Sequence, residues 1–73
     1  MKLEQAIQEY GALLDGQYLG VYKLDQMAKT FRKAVRRAKS VDDKDTYYTC
    51  YNTCDRLVRY CIEQEMPFAS IDM

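Results

Sequence analysis

Leu24-Asp25-Gln26-Met27-Ala28-Lys29-Thr30-Phe31-Arg32-Lys33-Ala34-Val35-Arg36-Arg37-Ala38-Lys39 is the stretch that decides the fold of this chain. Its apolar members Leu24, Met27, Ala28, Phe31, Ala34, Val35 and Ala38 recur at steps of three and four. At about 100° per residue this spacing gathers them on one side of a helix. Lys29, Arg32, Lys33 and Arg36 then project from the opposite side, with Arg37 and Lys39 at its edges. No acidic residue falls between Lys29 and Lys39, so one segment carries both a buried stripe and a basic face.

Upstream, Leu3, Ala6, Ile7, Tyr10, Leu13 and Leu14 also follow helical spacing and form the expected apolar stripe of a first helix over 2–15. Asp15-Gly16 supplies the stop, because glycine accepts the left-handed conformation that ends helices. Gly11 lies inside this helix and costs it about 1 kcal/mol relative to alanine. Its presence is expected to reflect a neighbouring backbone packed close against it. Residues 16–20 make a connection, and the second helix is expected over 21–39.

Downstream, Ser40-Val41-Asp42-Asp43 matches a serine-capped helix start in which an acid three residues on bonds back to the serine. Asp42, Asp43 and Asp45 suit the positive end of that helix. Tyr47, Cys50, Tyr51, Cys54, Leu57, Val58, Cys61 and Ile62 form its stripe, and Pro67 ends it, which predicts a third helix over 41–65. The run 46–51 has some strand propensity, but its apolar residues keep helical spacing. Phe68 and Ile71 in the tail can dock over the end of the bundle or stay mobile. Short connections favour antiparallel neighbours, so the expected fold is an all-α, up-down-up three-helix bundle, with residues 1–73 forming a single helical domain.

A chain of 73 residues supports a core worth only about 3–5 kcal/mol, a size at which self-association is common, and a homodimer is an expected form. No apolar run is long enough to cross a membrane, and the polar residues soon after Met1 do not read as a secretory signal. Together with an odd number of cysteines, three, these features predict a cytoplasmic protein with reduced thiols.

Catalytic chemistry finds little support. Histidine is absent, no glycine-rich phosphate loop is present, and the aspartates near 42–45 have a sufficient explanation at a helix start. Cys50, Cys54 and Cys61 share one helix face, but three thiols without histidine or a CxxC pair do not close a structural zinc site. They read as small core residues. The sequence therefore predicts no enzyme, no metal and no cofactor.

Charge points instead to binding. The formal net charge is zero, yet residues 1–22 carry −2, residues 23–39 carry +6 and residues 40–73 carry −4. Asp25 is placed to pair with Lys29 at one-turn spacing, whereas no acid within the second helix answers Lys33, Arg36 or Arg37. Tyr48, Arg56, Arg59 and Tyr60 lie outside the apolar stripe of the third helix, and tyrosine and arginine are the residues that dominate interface hot spots. The expected function is a small regulator or inhibitor of the phage or mobile-element type. It would occupy an acidic surface on a partner protein through Lys29, Arg32, Lys33, Arg36, Arg37 and Lys39 together with Tyr48, Arg56, Arg59 and Tyr60. The alternative is nucleic-acid binding by the same basic face. Neutral net charge, the lack of a helix-turn-helix, and the inward-pointing Phe31 as the only aromatic among these basic residues weigh against it.

Overall fold

The computed structural model describes residues 1–64, which form three helices: α1, Leu3–Leu14; α2, Val21–Arg37; and α3, Val41–Glu63. The expected all-α bundle is present, with ends one or two residues inside the expected boundaries. The tail bearing Phe68 and Ile71 lies outside the described residues.

Each helix end has a local cause. At the end of α1, Gln17 N–H donates to Ala12 C=O and Gly16 N–H to Leu13 C=O, both at about 3 Å, while Gly16 takes φ +91°. This is the Schellman arrangement, and it needs the left-handed conformation that glycine allows without strain. At the start of α3, Asp43 N–H donates to Ser40 Oγ at 3.1 Å. The expected return bond from the Asp43 carboxylate is not among the hydrogen bonds of the described residues. Aspartate is one methylene shorter than the glutamate that usually makes it.

The three helices meet at Phe31. Its ring is fully buried, contacts Tyr10 of α1 edge-on at 5.8 Å and stacks on Tyr47 of α3 at 6.5 Å. Around it Ala6, Leu24, Met27, Ala28, Cys50 and Cys54 complete the core. The stripe read from α2 is therefore its buried side as far as Ala34, while Val35 is only half-buried and Ala38, also half-buried, lies past the helix end. Thr30 Oγ1 lies 3.2 Å from Met1 O, and Lys23 Nζ lies 3.2 Å from Glu9 Oε2. These two ties run in opposite directions along α1 and α2, which fixes the pair as antiparallel. Tyr10 Oη donates to Thr53 Oγ1 at 3.4 Å and links α1 to α3.

Two expectations for α1 are corrected. Ala6 is its only fully buried residue, and Ile7 and Leu14 are 49% and 68% exposed. At 100° per residue they lie about 100° and 80° around the helix from Ala6, off the edge of the strip that α2 and α3 can cover. Gly11 was expected to sit under a close neighbour, but a Cβ added there meets nothing within 4 Å. The thinness of the α1 contact leaves that face open. Ile62 of α3, also assigned to a stripe, is 50% exposed because it falls to the side of buried Cys61.

Candidate functional site

The side chains that carry a basic face are long, flexible and charged, so their disposition follows from how α2 is clamped on its other side. With Phe31, Met27 and Leu24 held in the core, Lys29, Arg32, Lys33, Arg36 and Arg37 face outward, and Lys39 follows the helix end; all six are exposed. Lys29 Nζ pairs with Asp25 Oδ2 at 3.1 Å, as its spacing predicts. Among the described residues no ion pair reaches Arg32, Lys33, Arg36, Arg37 or Lys39. Part of this charge has a local benefit, since Arg36 and Arg37 stand in the last turn of α2, where cations interact favourably with the helix dipole.

The face divides along its length. On one side Lys33, Arg37 and Lys39 join Lys2 around an open cleft of about 630 Å³, with Tyr47 in its lining and Asp43 its one carboxylate. On the other side Arg32 and Arg36 flank a small groove of about 220 Å³ shared by Val35 of α2 with Tyr48 and Tyr51 of α3. Arg32, Val35 and Arg36 stand at i, i+3 and i+4, so they form one ridge, and Tyr48 and Tyr51 at i and i+3 form the facing one. The two tyrosine rings lie 6.3 Å apart and inclined at 36°.

This groove is what sequence reasoning missed. Phe31 does point inward, yet α3 brings two aromatic rings beside the arginines of α2. The signal was present in Tyr48 and Tyr51 but could be read only with the register between the two helices in hand.

The remaining expected residues are more dispersed. Arg59 Nε pairs with Asp55 Oδ2 at 3.2 Å, which neutralises it within its own helix. Tyr60 is exposed but lies 12 residues from Tyr48, about 18 Å along the helix at 1.5 Å per residue. Arg56 is exposed between them. Tyr48 thus belongs to the basic face, whereas Arg56, Arg59 and Tyr60 lie along the far half of α3.

Cys50, Cys54 and Cys61 are all free and buried. Burial pushes the Cys54 thiol up to about 11, helped by its neighbour Cys50. It also raises Cys50, where the Tyr10 hydroxyl opposes the shift. Among the described residues no three cysteine or carboxylate side chains are grouped to hold a metal ion, and no helix is long and apolar enough to cross a membrane. In comparisons with protein families, curated proteins and solved structures, nothing matches this chain.

Proposed function

We propose that the chain is a non-enzymatic binding protein that occupies an acidic surface of a partner protein through the basic face of α2. The observation that carries this reading is the run of five exposed cations, Arg32, Lys33, Arg36, Arg37 and Lys39, without an ion-pair partner among the described residues. Charge of one sign held on one rigid helix steers encounter and rejects cationic surfaces more than it stabilises a fold. The proposed mode of action is to cover that surface, in the manner of a small regulator or inhibitor.

A protein partner is favoured over nucleic acid because the molecule carries no net charge, whereas sequence-independent affinity for a phosphate backbone comes from an excess of cations that release counterions along it. The test is capture from host lysate with the wild-type chain and with a variant carrying Lys33→Glu, Arg36→Glu and Arg37→Glu, each with and without nuclease. The expected result is a protein retained after nuclease treatment by the wild type and lost by the variant. Capture abolished by nuclease would assign the face to nucleic acid instead.

A further inference from the structure

The groove between Arg32 and Arg36 of α2 and Tyr48 and Tyr51 of α3 has a size and lining that the basic face alone does not explain. At about 220 Å³ it is below the roughly 300–1,000 Å³ of sites that enclose a small-molecule ligand, and it is on the scale of one side chain. Val35, Tyr48 and Tyr51 line it and offer apolar and aromatic contact. Arg32 and Arg36 flank it, and among the described residues no carboxylate pairs with either.

We infer that this groove is an anchor pocket for a single bulky apolar side chain, a phenylalanine or leucine, set among carboxylates in an acidic segment of the partner. The inference rests on the acidic-partner reading above and specifies its recognition chemistry. The apolar side chain fills the space over Val35, Tyr48 and Tyr51 and sheds its hydration there. Carboxylates on either side meet Arg32 and Arg36, whose planar forks suit paired hydrogen bonds to a carboxylate. Acids further along the segment come within reach of Lys33 and Arg37 across the ridge. Such a division of labour is usual at interfaces, where one buried anchor sets affinity and surrounding charge sets orientation and rate.

Two fluorescein-labelled peptides of otherwise identical Glu- and Asp-rich sequence, one with a central phenylalanine and one with alanine, test the pocket by fluorescence anisotropy. The wild-type chain is expected to bind the phenylalanine peptide at least about tenfold more tightly. Tyr48→Ala removes one wall without touching the core, since Tyr48 is 54% exposed, and folding is checked by circular dichroism. That variant is expected to lose the preference, its affinity for the phenylalanine peptide falling to within about twofold of its affinity for the alanine peptide. Arg32→Glu with Arg36→Glu weakens both peptides. Equal wild-type affinity for the two peptides, or a preference that survives Tyr48→Ala, would overturn the anchor pocket and leave the acidic-partner reading standing. Failure of both peptides to bind up to millimolar concentration would overturn the two together.

Discussion

At the scale of single residues, Gly11 is the clearest departure between what the sequence suggests and what folding requires. A glycine in a helix interior invites the expectation of a close backbone, yet here its surroundings are open. Gly11→Ala is therefore expected to raise stability by about 0.5–1 kcal/mol, a shift of about 4–8 °C per kcal/mol for a domain of this size. A melting temperature that falls in the variant would show that something covers Gly11. Cys54 gives a second residue-scale expectation. Folding raises its pKa from the ordinary 9.0 to about 11, so the folded chain holds the thiol proton more tightly than the unfolded chain. The associated stability is complete below about pH 9 and is lost as pH rises through 11. Alkylation of the native protein at neutral pH should accordingly be slow, and fast labelling of Cys54 would contradict its placement in the core.

At the scale of helices, α2 was legible almost completely, because one segment contained both a full apolar stripe and its charged complement. The stop of α1 and the cap of α3 were legible for a similar reason: the chemistry of Gly16 and Ser40 acts within a few residues of each. The stripe of α1 was legible only in part. Helical periodicity marks which residues share a side, but the width of the buried strip depends on how much neighbouring surface exists, and here Ile7 and Leu14 exceed it. The groove at Tyr48 and Tyr51 was illegible for a related reason, since it belongs to two helices and depends on their register. Phe31 sets that register through its contacts with Tyr10 and Tyr47. Phe31→Ala should cost about 3–5 kcal/mol through the cavity it leaves, comparable to the whole stability of so small a domain. A thermal melt unchanged by this substitution would place the aromatic junction elsewhere.

At the scale of the whole molecule, the division of labour is by face. The inner side of α2 holds α1 and α3 together, and its outer side carries charge that the described residues leave largely unanswered. α1 carries none of that run of cations, the far half of α3 carries only Arg56 and the Asp55-paired Arg59, and the carboxylates at 42–45 bound the run at one end. Self-association is a proposal that belongs to this scale as well: a thinly covered α1 and the exposed Arg56 and Tyr60 would supply the surface of a symmetric dimer apart from the basic face. Light scattering at high micromolar concentration should give twice the monomer mass, and a strict monomer would leave these residues without that role.

The most direct measurement is the association rate of the captured partner protein with the wild type and with the Lys33→Glu, Arg36→Glu, Arg37→Glu variant, taken across a range of salt concentration. The substituted side chains are exposed and none is a member of the core cluster, so the variant should stay folded, its melt lowered only by the favourable helix-end interaction that Arg36 and Arg37 lose, about 0.3–1 kcal/mol each. Its association should nevertheless be slower, with the gap widest at low salt and narrowing as screening shortens to about 8 Å near physiological ionic strength. A variant that stays folded and binds at the wild-type rate at every salt concentration would show that the basic face is solvated surface and that the partner is held elsewhere.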